Sequence, residues 1–255
     1  FLDQGYSVTC ISPCDPYTKG LKDLGCDWLP LKISSSGANP LSDIRVLAYF
    51  LFYYSKLKPV AAFHFTIKNN IFGTLAASLL HIPSINNISG LGTAYIHNDW
   101  KAKIARFLYR ISLPLSFKIY CQNEDDFFLL SQVQTFDNKL KLLPGSGVDT
   151  SRFHPSLKVT KNYIKQKFRF IYAGRFLADK GLRELITAIK NINIHETQCE
   201  LCLIGFQDSE NISAISPLEI ESWSEIPGLF IEDATENIET ILAMSDCLVL
   251  PSYRE

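Results

Sequence analysis

The stretch FIYAGRFLADKG, residues 170–181, decides the fold of this 255-residue chain. It opens with an apolar run, residues 170–173, that has the length and composition of a buried strand. Apolar residues then recur at the spacing of an amphipathic helix, at Leu182, Leu185, Ile186 and Ile189. Strand, short loop and helix in this order form the repeating unit of a parallel α/β sheet. The stretch therefore predicts an α/β fold.

The loop within this stretch carries two cations. Gly174 and Arg175 follow the strand, and Lys180 and Gly181 precede the helix. A helix N-terminus presents unpaired N–H groups and a partial positive charge, so two cations beside it make a site suited to a diphosphate. The loop has neither the GxxxxGKS/T nor the GxGxxG pattern of the usual phosphate loops. The alternative is a solvated loop with ordinary surface cations.

Composition indicates globular domains with substantial cores. The chain is 47% hydrophobic with a net charge of −1, which argues against disorder and against a nucleic-acid partner. At a usual size of about 150 residues per domain, the length predicts two domains. No apolar run reaches the ~20 residues that a membrane helix needs. Cys199 and Cys202 have CxxC spacing. On a strand they point to opposite faces, so we interpret them as core residues rather than metal or redox ligands.

Strands and helices alternate along the chain. Predicted strands are residues 6–11, 27–33, 60–65, 83–87, 117–121, 139–143, 168–173, 200–204, 228–231 and 246–250. Predicted helices are residues 42–57, 71–81, 100–112, 124–131, 182–191, 211–223 and 236–244. This alternation predicts two doubly wound, Rossmann-like α/β domains whose ligand crevices, at the carboxyl ends of the strands, face one cleft. A polar, Lys-rich break places the domain boundary between residues 155 and 156.

Both ends of the chain have the sequence of interior segments. The chain opens with what reads as the end of a helix stopped by Gly5, where a doubly wound domain begins with a strand and a ligand loop. It ends in PSYRE, residues 251–255, where a further ligand loop is expected. We therefore expect a chain incomplete at both termini. The first domain, residues 1–155, would lack its first strand, and the second, residues 156–255, would be truncated.

Longer strings resemble a known family. The strings GRFLADKGLRELITA from residue 174, LIGF from residue 203 and ENIETILAMSDCLVLPSYRE from residue 236 resemble the C-terminal domain of GT-B glycosyltransferases of family 4. The first half contains FHFTIKNNIFGTLAASLLHIPSINNISGLGT, CQNEDD and LLPGSGVDTSRFHP. These strings are similar to bacterial members that add sugars to lipid-linked intermediates of capsule, O-antigen or glycan assembly. The resemblance covers nearly the whole chain and implies the GT-B fold.

The resemblance also implies a donor site. Arg175 and Lys180 would hold the diphosphate of a UDP-sugar, and Glu255 would meet the donor sugar as the first of two glutamates; these three form the expected catalytic set. Gly174 and Gly205 are expected to line the same site. We expect no metal and no cofactor, because cations and a helix N-terminus can neutralise the departing phosphate as negative charge builds on it.

The acceptor side is expected at the strand ends of the first domain. His64 lies near the end of one predicted strand, and Asn87, Ser89 and Gly90 lie in a polar, glycine-bearing segment at the end of the next. A core histidine and an ordinary turn are the alternatives. The acids of CQNEDD are expected to cap a helix behind Asn123 rather than to act in catalysis.

A basic amphipathic helix is predicted from Trp100 onward. The segment to residue 110 carries four cations, Lys101, Lys103, Arg106 and Arg110, and no acid. Apolar residues alternate with these cations at helical spacing, as in helices that lie on an anionic membrane surface. A helix packed on the sheet with a solvated basic face is the alternative.

These observations together predict a retaining glycosyltransferase of the hexosyl or N-acetylhexosaminyl type. It would move a sugar from a UDP-sugar to a lipid-linked, undecaprenyl-diphosphate saccharide in surface polysaccharide or glycan assembly. It would act in the cytoplasm, peripherally on the inner face of the cytoplasmic membrane. The alternatives are a GT-B sugar-nucleotide epimerase and an inactive truncated fragment, and we expect this chain alone to lack activity.

Overall fold

The computed structural model of the protein describes residues 1–15, 17–33, 40–91, 100–133, 136, 138–157, 167–193, 199–209, 211 and 213–253, with residues 40, 41 and 101 described by their backbone alone. The chain divides into two compact units, Phe1–Ser146 and Gly147–Glu255. The segment that follows the division belongs with the second unit because Arg152 pairs with Glu239 at 2.9 Å.

Ten strands are described, and every pairing among them is parallel. They are β1 (Thr9–Ser12), β2 (Asp27–Pro30), β3 (Ala62–Phe65), β4 (Ser84–Ile88), β5 (Lys118–Cys121), β6 (Leu140–Leu142), β7 (Phe168–Ala173), β8 (Cys199–Gly205), β9 (Leu229–Asp233) and β10 (Cys247–Leu248). In the first unit β1 pairs with β2, and a separate sheet has the order β3-β4-β5-β6. In the second unit the order is β10-β7-β8-β9. The parallel α/β prediction is confirmed.

Eight α-helices are described between these strands. They are α1 (Thr18–Asp23), α2 (Pro40–Leu57), α3 (Thr74–Leu79), α4 (Trp100–Ser112), α5 (Glu124–Ser131), α6 (Leu182–Ile192), α7 (Pro217–Ser224) and α8 (Ile238–Ala243). The predicted bounds of α4 and α5 are confirmed. Helix α1 was not predicted. Within the described residues, no helix is long and apolar enough to cross a bilayer.

Besides shifts of one or two residues at helix ends, two predicted helices begin differently in the structure. The helix predicted over residues 71–81 begins instead as a π-helix, Asn69–Gly73, and continues as α3. The helix predicted over residues 211–223 begins only at Pro217, where the Ser216 hydroxyl accepts the backbone N–H of Glu219 as an N-cap. The described residues before Ser216 bind back to the loop after β7 instead of continuing a helix.

The sheet of the second unit is covered on both faces, as a doubly wound fold requires. One face packs Cys199, Leu201 and Leu203 with the apolar side of α6. The other face packs Cys202 and Ile204 against residues of α8. Cys199 and Cys202 are therefore on opposite faces and are free thiols, which confirms that they are core residues. Among the described residues, no group of histidine, cysteine, aspartate or glutamate side chains is arranged to hold a metal ion.

Candidate functional site

The loops that follow β7 and β10 meet at the point where the strand order of the second sheet reverses. Ligands of open α/β sheets bind outside the carboxyl ends of the strands at such a switch point. Here the backbone N–H of Tyr253 donates to the carbonyl of Asp179 at 3.1 Å, and the Tyr253 hydroxyl donates to the Glu184 carboxylate. That bond lowers the pKa of Glu184 and raises the pKa of Tyr253.

Gly181 allows the close contact between the loops that follow β7 and β10. Its φ is +68°, and a Cβ at this position would lie 2.1 Å from the carbonyl oxygen of Pro251. Both the left-handed backbone and the close approach exclude a side chain here. Gly181 also precedes α6 without any side-chain cap, so the first-turn N–H groups of that helix face the loop without a capping side chain.

Gly174 and Gly205 hold the ends of β7 and β8 together. The N–H of Gly174 donates to the carbonyl of Ile204 at 2.9 Å. A Cβ on Gly205 would lie 1.8 Å from the carbonyl oxygen of Gly174. The sequence placed both glycines in a donor site; the structure adds that Gly205 has a steric function, because only a glycine lets the two strand ends approach this closely.

Arg175 is held in place by two contacts. Its carbonyl accepts the Tyr172 hydroxyl at 2.8 Å, and its guanidinium pairs with the Asp208 carboxylate at 3.1 Å. About half of the Arg175 side chain is exposed, so the guanidinium can reach a ligand. Sequence reasoning missed Asp208, and no local pattern could have revealed it, because the two residues lie on different loops.

Lys180 closes a short 3-10 turn, Ala178–Lys180, directly before α6. The turn is fixed from the loop after β8: the Ser213 hydroxyl donates to the Asp179 carboxylate at 2.7 Å, and the Ala178 N–H donates to the Ser213 carbonyl at 2.7 Å. The two predicted cations thus lie on one braced loop at a helix N-terminus, an arrangement that favours an anion. Glu255 lies outside the described residues.

In the first unit, His64 is a core residue. Its side chain is 2% exposed. Nε2 lies 2.7 Å from the Tyr54 hydroxyl and Nδ1 lies 2.9 Å from the Asn86 amide oxygen. Burial lowers the pKa of His64 to about 4, so the ring is neutral near pH 7. With both nitrogens bonded inside the fold, His64 has the environment of the core histidine that the sequence left as the alternative.

Three of the predicted acceptor-side positions lie at the end of β4. Asn87 is the fourth residue of β4, Ser89 is exposed, and Gly90 has no described atom within 4 Å of where its Cβ would be. The backbone continues to Leu91, whose N–H donates to the buried Asp126 carboxylate at 2.9 Å. The loop is therefore anchored on α5.

The structural function of CQNEDD is confirmed. The N–H of Asp126 donates to the side-chain oxygen of Asn123 at 2.8 Å, which makes Asn123 the N-cap of α5. The amide of Asn123 in turn donates to the Asp126 carboxylate at 2.9 Å. The sequence did not indicate that Asp126 also fixes the loop after β4.

Helix α4 presents an exposed apolar stripe beside its cations. Trp100, Ile104, Phe107 and Ile111 follow one another at helical spacing and are all exposed, Phe107 by 62%. Lys103 and Arg110 are exposed and Arg106 is half-buried on the adjoining side of the helix. Ala102 and Tyr109 face the core. The side chain of Lys101 lies outside the described part of the chain.

A loop suited to an anion at the switch point of one parallel α/β unit, preceded in the chain by a second parallel α/β unit, is an arrangement also found in nucleotide-binding folds. Comparisons with known proteins define it further. Residues 1–123 match the family model described as Glycosyl transferase 4-like, and residues 156–255 match the one described as Glycosyl transferases group 1. The chain thus belongs to the GT-B glycosyltransferases of the family-4 type.

Individual relatives agree with this family. The chain is 29% identical to N,N'-diacetylbacillosaminyl-diphospho-undecaprenol alpha-1,3-N-acetylgalactosaminyltransferase of Campylobacter jejuni, with 99% of the chain aligned to 69% of the relative. It is 28% identical to the capsular polysaccharide biosynthesis glycosyltransferase CapM of Staphylococcus aureus, with 84% aligned to 58% of that protein. Anabaena HepE, solved with UDP and glucose, shares the fold at a TM-score of 0.70 and 13% identity, over 96% of this chain and 66% of its own.

Proposed function

We propose that the protein is a retaining glycosyltransferase that takes a sugar from a UDP-sugar and adds it to a lipid-linked saccharide in surface polysaccharide or glycan assembly. The observation that carries the proposal is the braced loop with Arg175 and Lys180 at the N-terminus of α6. Negative charge builds on the departing diphosphate during glycosyl transfer, and preorganised cations aimed at that charge lower the barrier.

Arg175 and Lys180 would bind the diphosphate in different ways. The guanidinium of Arg175 can bind two phosphate oxygens at once, whereas Lys180 supplies a point charge beside the helix N-terminus. Gly174 and Gly205 would keep the loop at the right distance, and Glu255 is proposed to meet the donor sugar. Since cations and N–H groups supply the positive charge, we propose that neither metal nor cofactor takes part.

The acceptor proposal is supported by the Campylobacter relative, whose name specifies an undecaprenol-linked diphospho-sugar acceptor. We propose the same acceptor class for this chain, approached from the strand ends of the first unit through Asn87, Ser89 and Gly90. His64 would support this side from within the core, because it binds Asn86 and not the ligand.

UDP binding tests the donor part directly. Titration calorimetry of the 255-residue chain with UDP should give saturable binding that Arg175→Ala and Lys180→Ala each weaken at least tenfold. Lys190→Ala is the matched control, because this exposed cation lies in the last turn of the same helix. A chain that binds UDP equally well in all four forms would show that the loop is not the diphosphate site.

Transfer itself is tested with lipid-linked acceptors and a panel of UDP-sugars. Incubation of the whole protein that contains this chain with labelled donors should yield a product whose new bond keeps the anomeric configuration of the donor. A product with the inverted anomer would contradict the retaining mechanism. A UDP-sugar epimerised at one carbon, without transfer to the acceptor, would indicate the epimerase alternative.

We further propose that the protein acts on the inner face of the cytoplasmic membrane, held there by α4. Lys101, Lys103, Arg106 and Arg110 would bind anionic lipid headgroups, at about 1 kcal/mol for each cation near the surface. The adjoining apolar stripe of Trp100, Ile104, Phe107 and Ile111 would enter the headgroup layer, as in other interfacial helices. A lipid-linked acceptor requires such a location.

Vesicle sedimentation tests this location. The protein should bind vesicles rich in phosphatidylglycerol, release as salt rises, and lose binding when the four cations of α4 are changed to glutamate. The control variant reverses Lys19, Lys32 and Lys141, which are exposed cations elsewhere in the first unit. Vesicle binding that survives reversal in α4, or that falls equally in the control, would contradict the proposal.

A further inference from the structure

We propose that Asn69, Asn70 and Asn87 form a subsite for a neutral sugar ring at the carboxyl ends of β3 and β4. This inference rests on the proposed function, because it names the part of the acceptor that the first unit would bind. It also moves the acceptor contact away from the buried His64 and onto residues that the sequence analysis did not select, Asn69 and Asn70.

The backbone places the three asparagines at one edge of the sheet. Asn87 lies beside Phe65, the last residue of β3, in the parallel register of the two strands. The chain then turns at Thr66 and enters the π-helix that contains Asn69 and Asn70. The Asn70 side-chain amide donates to the Asn87 carbonyl at 3.2 Å, which joins the π-helix to the end of β4. The carboxyl edge of a parallel sheet is where ligands bind.

Within the described residues, the three side-chain oxygens have no hydrogen-bond donor. Asn70 is 1% exposed, yet among the described residues no group donates a hydrogen bond to its Oδ1 atom. The Oδ1 atoms of Asn69 and Asn87 are also enclosed and have no donor in that part of the chain. A buried carbonyl oxygen without a donor costs free energy. Three such oxygens on adjoining segments indicate a partner that brings the donors.

The backbone supporting these residues is unusual. Thr66 has a φ of +71°, a rare conformation for a β-branched residue. The π-helix that follows is a rare form that is frequently found at functional sites. Its last residue, Gly73, lies against the His64 ring, so that a Cβ there would come within 2.6 Å of the imidazole. The buried His64 network thus holds the π-helix in position, as a positioning group would for a ligand contact.

The chemistry of the site selects a neutral ligand. Amide oxygens accept hydrogen bonds from O–H and N–H groups and carry no net charge. Lys68, the cation that begins this segment, is already paired with Asp43 at 3.1 Å. Hydroxyl and acetamido N–H groups of a sugar ring meet these requirements, whereas a diphosphate brings acceptors and negative charge. The phosphates of donor and acceptor would therefore bind elsewhere.

Saturation-transfer NMR with methyl N-acetyl-β-D-glucosaminide and methyl β-D-glucoside as probes tests the subsite on the 255-residue chain. The informative variants are Asn69→Leu and Asn87→Leu. Each replaces the amide, with its acceptor oxygen, by an apolar side chain of similar shape and breaks no described side-chain hydrogen bond. Asn70→Leu is less suitable because it would break the bond to the Asn87 carbonyl. Asn138→Leu, an exposed position in the same unit, is the control.

We expect saturation transfer from the unsubstituted chain to at least one probe, and a loss of at least fivefold in both informative variants with no loss in the control. The melting temperature should stay equal or rise in both variants, because removing an unpaired buried oxygen does not weaken the fold. Unchanged transfer, or a melting temperature lowered by several degrees in both, would overturn the subsite. UDP binding without any sugar signal would overturn it while the proposed function stands, whereas loss of both would overturn the two together.

Discussion

Replacing Gly205 with alanine should damage both the second unit and its ligand loop. The added Cβ would lie 1.8 Å from the Gly174 carbonyl oxygen and 3.1 Å from the Phe176 ring. The ends of β7 and β8 must then separate, which stretches the bond from the Gly174 N–H to the Ile204 carbonyl, now 2.9 Å long. Overpacking costs about 1–3 kcal/mol and the lost hydrogen bond about 1 kcal/mol. The free energy of unfolding should fall by about 2–4 kcal/mol.

Urea denaturation measures this loss in the second unit alone when Trp28 and Trp100 are changed to phenylalanine. Buried Trp223 then reports only on the sheet that contains Gly205. Because Arg175 follows Gly174 directly, UDP affinity should also fall at least tenfold. Gly90→Ala is the control: no described atom lies within 4 Å of its Cβ position. A Gly205→Ala variant that unfolds at the same urea concentration and binds UDP normally would refute the steric argument.

Three further outcomes are expected. Lowering the pH should weaken the first unit, because burial lowers the pKa of His64 to about 4 while the unfolded chain binds the proton near pH 6.5. The stability that the neutral His64 contributes, about 3 kcal/mol, is present above pH 6.5 and is lost as the pH falls to 4. A urea midpoint that depends equally on pH in His64→Gln would contradict this expectation. Asp208→Asn should tighten UDP binding by up to about fivefold, because it removes a carboxylate that competes with the diphosphate for Arg175; weaker binding by calorimetry would show instead that Asp208 positions the guanidinium. EDTA should leave unchanged both UDP binding to the chain and turnover by the whole protein that contains it, and activity lost with EDTA and restored by Mn²⁺ would identify a metal requirement.

Local patterns were sufficient for much of the fold. Strand β7 is a continuous apolar run, and α5 begins at an asparagine cap followed by three acids, so both have predicted bounds that the structure confirms. The same reasoning failed for residues 69–73, because apolar spacing does not distinguish a π-helix from an α-helix. The last residue of the π-helix, Gly73, lies against His64, and because His64 belongs to a separate element this contact is not visible in the local sequence.

In the candidate site, too, some residues could be predicted from the local sequence and others could not. Arg175 and Lys180 were recognisable because they stand between a strand and a helix. The elements that hold them were not, since Asp208, Ser213 and Tyr253 reach the loop from other connections. The late start of α7 has this cause too: the backbone and side chain of Ser213 are occupied in bracing the loop, so the chain cannot begin a helix there.

Alkylation of the buried thiols can measure the stability of each unit separately. Cys121 lies in the core of the first unit, and Cys199 and Cys202 lie on opposite faces of β8 in the second. Burial raises the pKa of Cys202 to about 11. Because the thiolate is the reactive form, Cys202 is alkylated only after the surrounding structure has opened. The other four cysteines, Cys10, Cys14, Cys26 and Cys247, would be replaced by serine. A faster reaction at Cys202 than at Cys199 would then reveal detachment of the α8 layer while the α6 layer and the sheet remain intact.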